Sequence, residues 1–190
     1  FCLNNNISIL PRGGGTSQCG QTVNHSLVID NSKYFNKIID FDEKNKTCTV
    51  EPGIVLDELN KFLKPFGLWF PVDVSTSSRA TIGGMAGNNS CGGRSLKYGM
   101  MRDNVVSIEA ILNDGKEYSF GDIDIDELKN NSNLNIFNNS IFKLHEQVKK
   151  NKKIIQSDFP KVLRRVAGYN IDALLPDAMC YRPMGKQEMV

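Results

Sequence analysis

Apolar and polar residues change period several times along this chain, in short stretches rather than long runs. Residues 7–10 (Ile-Ser-Ile-Leu) and 27–29 (Leu-Val-Ile) predict two short strands. Residues 37–41 and 47–51 predict a hairpin around the polar stretch Asp42-Glu-Lys-Asn-Lys46. The period then lengthens. Val55, Leu56, Leu59, Phe62 and Leu63 recur at helical spacing, so a helix is predicted over 54–64, ending near Pro65 and Gly67. Strands are predicted over 106–112 and 117–120, joined by the turn Asn113-Asp-Gly115. Residues 122–139 are acidic, then asparagine-rich, and predict a short helix and a loop. Ile141, Phe142, Leu144 and Val148 predict an amphipathic helix over 140–155, with Lys149 to Lys153 at its solvated end. No internal repeat or linker interrupts the series, which predicts an α+β domain of two small α/β lobes.

Two stretches stand apart because they carry almost no bulky apolar side chains. The first is Pro11-Arg-Gly-Gly-Gly-Thr-Ser-Gln-Cys-Gly-Gln21. Three consecutive glycines remove every Cβ from a strand-to-loop turn, so backbone N–H groups can crowd against an anion such as a pyrophosphate. One such bond to a charged oxygen is worth roughly 1.5–3 kcal/mol, and three or four can anchor a dinucleotide. A surface loop with no ligand has the same composition. Two familiar phosphate motifs fail here. Gly15 to Thr22 fits a Walker A frame except that Gln21 stands where the lysine is required, and a strand-like stretch follows where a helix is needed. A dinucleotide fingerprint starting at Gly13 needs a third glycine where Gln18 stands. The second stretch, residues 70–99, is too long for an ordinary connection. Predicted structure on both sides favours a binding loop over disorder.

The segments 11–21, Val50-Glu-Pro-Gly53, 71–99, Arg102-Asp-Asn104 and 165–174 occur in an order and at spacings that resemble the FAD-binding domain of the FAD-linked oxidase family, also called the vanillyl-alcohol-oxidase or PCMH type. Within it the resemblance is to the glycolate oxidase, D-lactate dehydrogenase and D-2-hydroxyglutarate dehydrogenase group. It covers nearly all of residues 1–176 and implies a PCMH-type domain with FAD between its two lobes.

By this resemblance Arg12, Gly13, Gly14, Gly15, Thr16 and Ser17 form the loop that wraps the FAD pyrophosphate, and Pro11, Gly20 and Gln21 also bind the cofactor. Pro71, Asp73, Ser75, Ser78, Gly83 and Gly84 run beside the ribityl chain and phosphates. Asn88, Asn89, Ser90 and Gly92 lie along the flavin and its linker, and Tyr98 and Gly99 close the loop. Relatives that attach FAD covalently carry a histidine just after the first glycines; Thr16 stands there, which implies non-covalent FAD. Arg165, before Gly168 and Tyr169, is a candidate contact for a substrate carboxylate, equally readable as a surface charge. No catalytic residue is assigned, and His25 and His145 receive no role.

The resemblance further implies a flavoprotein dehydrogenase or oxidase of a D-2-hydroxy acid, of the D-lactate, glycolate or D-2-hydroxyglutarate class, that passes a hydride to flavin N5. Electrons then go to a quinone, a cytochrome, an electron-transfer flavoprotein or an iron–sulfur partner. The alternatives are a UDP-sugar reductase on the same scaffold and a non-catalytic FAD-binding fragment. Against the family pattern, the domain is expected to occupy 1–176 and to lack its opening strands. Residues 177–190 are expected to be a divergent tail, and the substrate cap with its histidine is expected to be missing.

The composition narrows this picture without changing it. A net charge of +2 gives no electrostatic reason to propose nucleic acid or an anionic membrane as partner, and no apolar run approaches a membrane span. Five cysteines, Cys2, Cys19, Cys48, Cys91 and Cys180, form no C-x-x-C pair, which speaks against a metal site and a secreted disulfide framework. The expected setting is intracellular, in cytoplasm or mitochondrial matrix, and compatible with peripheral membrane association.

Overall fold

The computed structural model describes residues 1–126, 136–162 and 169–175. After a 3₁₀ turn at Leu3–Asn5, β1 (Ile9–Arg12) pairs in parallel with β2 (Leu27–Asp30), Ile9 opposite Leu27 and Arg12 opposite Asp30. Parallel strands need a crossover, and here the crossover is the irregular glycine stretch rather than a helix. β3 (Ile38–Asp42) and β4 (Thr47–Val50) form an antiparallel hairpin, irregular between Ile38 and Asp40. A second hairpin joins β5 (Ile108–Ile111) to β6 (Glu117–Phe120). The described strands therefore make three two-stranded sheets.

Helices pack these small sheets together. α1 (Leu56–Leu63) buries Leu56, Leu59 and Leu63 on one face and carries Asp57 and Glu58 in its first turn, where the helix dipole favours negative charge. A 3₁₀ turn over Lys64–Phe66 continues it and stops at Gly67, whose φ of 69° is left-handed. Two adjoining apolar clusters fill the centre. One holds Leu56, Val72, Ala80, Met85 and Met101; the other holds Ile54, Leu59 and Leu63 with Phe41 and Phe62 against them. Phe70 and Ile82 touch both, so the interior is continuous from the first hairpin to the glycine-rich segment. Further along, α5 (Ile136–Lys150) and α6 (Lys152–Asp158) bury Val148 and Ile155 with Leu175.

The structure corrects several expectations. Residues 70–99 are not a featureless loop, because they contain α2 (Ile82–Gly87) and α3 (Ser95–Tyr98), with α4 (Met101–Asn104) just beyond. Three glycines in a six-residue helix oppose helix formation by propensity, and packing overrides it. A Cβ at Gly83 would run into Pro52, and the Gly83 N–H donates to the Pro52 carbonyl at 2.8 Å. Gly87 differs, since nothing stands within 4 Å of its Cβ position. Gly87→Ala should therefore stabilise the chain by about 0.5–1 kcal/mol in urea denaturation; a loss of that size would show that Gly87 is needed for something else.

β1 starts two residues later than expected and runs through Pro11 and Arg12. β5 is shorter than 106–112, and Val106 is 71% exposed. The 140–155 helix begins earlier and breaks at Asn151 (φ −98°, ψ 14°), yet Val148 and Ile155 still point to the same core. Arg165 and the tail 177–190 lie outside the described residues, as do 127–135 of the acidic and asparagine-rich stretch.

Candidate functional site

The chain leaves β1 at Arg12 and turns through Gly13, Gly14 and Gly15, the last at φ 64°. Space makes these glycines necessary. A Cβ on Gly13 would collide with Thr81 Oγ1, and one on Gly14 with the backbone carbonyl of Arg79. The turn is therefore seated directly on residues 79–81. From the other side, a Cβ on Gly84 would stand 3.1 Å from the same Thr81 Oγ1. The two side-chain-poor stretches thus meet at one threonine hydroxyl, more than sixty positions from the first glycines.

Thr81 is 1% exposed and is the N-cap of α2, its Oγ1 accepting from the Gly84 N–H at 3.4 Å. The backbone around it is tightly laced. Leu56 N–H donates to the Ala80 carbonyl at 3.0 Å, and Ile82 N–H to the Ile54 carbonyl at 2.9 Å. Gly53 N–H donates to the Phe35 carbonyl at 2.6 Å, and Asn31 N–H to the Arg12 carbonyl at 2.9 Å. The Glu51-Pro52-Gly53-Ile54 segment therefore connects β2's exit to the start of α2. Thr81→Val should cost about 1–2 kcal/mol, because it leaves the Gly84 N–H without its acceptor inside the protein; Thr81→Ser should recover most of that. Equal stability of valine and threonine in thermal denaturation would refute the role.

A backbone accounting shows what the glycine turn can do. The N–H groups of Gly13, Gly14, Gly15 and Thr16 donate to no acceptor among the described residues, although all four residues are half-buried. The Arg12 side chain folds over the turn, its Nη2 lying 2.7 Å from where a Gly15 Cβ would be. Asp30, across the sheet, keeps its carboxyl below the ordinary range, chiefly through the Ser32 hydroxyl and N–H, with Arg12 adding to the effect. Four unspent donors, no Cβ and a nearby cation suit a diphosphate, so the residues present fit FAD.

The predicted flavin-side residues divide into two groups. Several hold the loop itself. The Asp73 carboxylate accepts the Arg94 N–H at 2.9 Å, and a Cβ on Gly92 would collide with the Asp73 backbone and carboxylate. Ser95 Oγ accepts the Gly92 N–H at 2.9 Å. Asn89, at φ 43°, accepts the Arg102 N–H at 3.0 Å, and the Ser90 carbonyl accepts the Met101 N–H at 3.0 Å. Gly99, at φ 80°, makes room for Asp103, which accepts the Met100 N–H at 2.8 Å. Asn104 donates to the Tyr98 and Met100 carbonyls at 2.9 and 2.8 Å. Pro71 is buried. Others stay on the surface: Pro11, Arg12, Ser17, Gly20 and Gln21 beside the first turn, and Ser75, Ser78, Gly84 and Asn88 beside the second, while Thr16 and Gly83 are half-buried. Gln21 donates to the Ser17 hydroxyl.

Sequence reasoning missed Thr81 and Arg79 as the floor of the turn. Threonine ahead of an apolar residue is a recognisable cap signal, hidden here by the glycines that follow. A concave patch beside α1, lined by Asn36, Ile38, Glu58, Lys61 and Phe62 among others, shares no residue with the predicted cofactor positions. Among the described residues, no cluster of His, Cys, Asp and Glu could hold a metal ion, and no helix is long and apolar enough to cross a membrane.

Comparison with known proteins bears on the same region. The family model described as FAD binding domain matches residues 1–121. D-2-hydroxyglutarate dehydrogenase of Haemophilus influenzae is 36% identical over 170 residues, covering 87% of this chain and 16% of the relative. Glycolate oxidase subunit GlcD of Bacillus subtilis is 40% identical over 117 residues, 60% of this chain and 25% of the relative. The chain thus spans about a sixth to a quarter of these proteins. Among solved structures, an alkyldihydroxyacetonephosphate synthase superposes with a TM-score of 0.57 at 27% identity, over 67% of this chain and 24% of its own. 6-Hydroxy-D-nicotine oxidase of Arthrobacter nicotinovorans shares the fold, with a TM-score of 0.56 at 23% identity over 66% of this chain and 27% of its own.

Proposed function

The chain belongs to the FAD binding domain family, and on that premise we propose that it is the flavin-holding part of a dehydrogenase that oxidises a D-2-hydroxy acid. One observation of the structure carries the flavin half of this reading: four consecutive unspent N–H donors at a turn without Cβ atoms, seated against a second glycine-rich stretch. The names of the relatives support the substrate half. Four proteins called D-2-hydroxyglutarate dehydrogenase match 87–89% of the chain and another of that name 57%, while a mitochondrial D-lactate dehydrogenase of Saccharomyces cerevisiae matches 60%. D-2-hydroxyglutarate is therefore the leading substrate, with D-lactate and glycolate behind it.

In this reading Gly13 to Thr16 donate their N–H groups to the diphosphate, and Gly84 and Asn88 border it from α2. Asp73, Asn89 and Gly92 keep the 88–99 segment in the shape that would hold the flavin. Bound FAD supplies a two-electron acceptor at N5 for the hydride leaving the substrate Cα. The hydroxyl proton goes to a base outside the described residues, and Arg165 pairs with a substrate carboxylate. Thr16, in place of the covalent-linkage histidine, makes FAD dissociable. The reoxidant is a quinone, a cytochrome, an electron-transfer flavoprotein or an iron–sulfur partner, and the setting is cytoplasm or mitochondrial matrix.

The test is to purify the full-length protein and follow dye reduction with D-2-hydroxyglutarate, D-lactate and glycolate. Reduction by one of these and not by its L-enantiomer (for glycolate, reduction alone) is expected. A flavin that no hydroxy acid reduces would refute the substrate reading. Yellow colour retained by the chain after denaturing electrophoresis would refute dissociable FAD.

A further inference from the structure

We propose that Arg79, together with Arg12, binds the nucleotide's diphosphate through its side chain, supplying the positive charge that a phosphate loop without lysine lacks. The inference rests on the flavin reading and adds to it a residue outside both glycine clusters' backbone donors. Within 11–21 and 70–99 the cations are Arg12, Arg79, Arg94 and Lys97, and Asp73 is the one carboxylate, a net charge of +3. Positive charge therefore predominates within these two stretches, with the Asp30 carboxylate facing Arg12 and that of Asp103 at Gly99.

Two of the four cations already have partners. The Arg94 guanidinium lies 4.8 Å over the Trp69 ring, and Lys97 Nζ lies 5.2 Å over the Tyr98 ring. The Arg79 guanidinium makes no hydrogen bond and no ion pair among the described residues, Arg12 makes neither but acts on the Asp30 carboxylate opposite it, and both arginines are exposed. These two are the ones that touch the glycine turn. Arg12 covers Gly15, and the Arg79 carbonyl lies against Gly14. The Arg79 backbone is thus fixed at the floor of the turn that carries the four N–H groups. A diphosphate brings two negative charges, one for each guanidinium, and the planar fork of each can engage two oxygens at once.

The experiment uses the full-length protein, stripped of flavin and titrated with FAD and with riboflavin, which lacks phosphate, at low and high salt. Wild type should bind FAD more weakly as salt rises. Arg79→Gln should raise the FAD dissociation constant about tenfold and flatten the salt dependence, leaving riboflavin affinity and the melting temperature of the flavin-free protein unchanged. Arg79→Lys should recover part of the loss. Wild-type protein that binds no FAD would overturn the flavin reading and this inference with it. Wild-type binding with an unchanged Arg79→Gln constant, or an equal loss for FAD and riboflavin, would overturn this inference alone.

Discussion

Replacing Gly53 by alanine is expected to cost about 3 kcal/mol of folding free energy, enough to leave a marginal chain largely unfolded. The collision is with backbone, not with a side chain that could rotate away. A Cβ there would overlap the carbonyl oxygens of Asn31 and Phe35, and the Gly53 N–H already donates to Phe35 at 2.6 Å. Relief requires moving the turn after β2 away from the entry to α1. That shift would also strain the bond from Asn31 N–H to the Arg12 carbonyl and the seat of the glycine turn. Urea denaturation of Gly53→Ala beside Gly87→Ala reads the effect, since both changes add one methyl group and only one of them meets an obstacle. A Gly53→Ala loss below about 1 kcal/mol would mean that this junction yields more easily than its geometry implies.

The second large effect concerns ligand rather than fold. Gly14→Ala would drive a methyl group into the Arg79 carbonyl, lifting the turn off residues 79–81. The four N–H groups then leave the positions in which the seated turn holds them. Losing two bonds to charged oxygens, at roughly 1.5–3 kcal/mol each, raises the FAD dissociation constant about a hundredfold or more. Flavin-free stability should fall much less, because the turn contributes little to either central cluster. In a thermal-shift titration the wild type gains about 2.7 kcal/mol at a FAD concentration a hundred times its dissociation constant, and Gly14→Ala gains almost nothing at that concentration. An unchanged shift would remove the turn from the binding site.

Much of the framework was legible because local pattern and tertiary need agree there. β2, both hairpins and α1 fall within two residues of expectation, and each has an apolar period that the final packing uses. The meeting of Gly13–Gly15 with the 80s was expected from the resemblance, and Thr81 supplies its physical basis. α2 was illegible for the opposite reason. Gly83 and Gly84 argue locally against a helix, and only Pro52 and the Thr81 cap, brought in from elsewhere, make one. The division between ligand-facing and loop-holding residues was equally hidden. Asp73, Ser75, Asn88 and Asn89 look alike as small polar donors and acceptors, yet Asp73 and Asn89 have turned inward to backbone N–H groups. Residue type states what a side chain can bond; it does not state which way the backbone aims it.

The β1–β2 pair has a biological corollary. Its two strands of four residues leave Ile9 and Leu27 nearly half exposed, while Leu56 and Met101 are sealed at 1%. Local opening is cheapest where burial is least, so within this chain that corner should open ahead of the interior. A nucleotide clasped at Gly13–Thr16 would hold that corner shut. Limited proteolysis of this chain should then slow at that corner when FAD is added, with the interior unaffected.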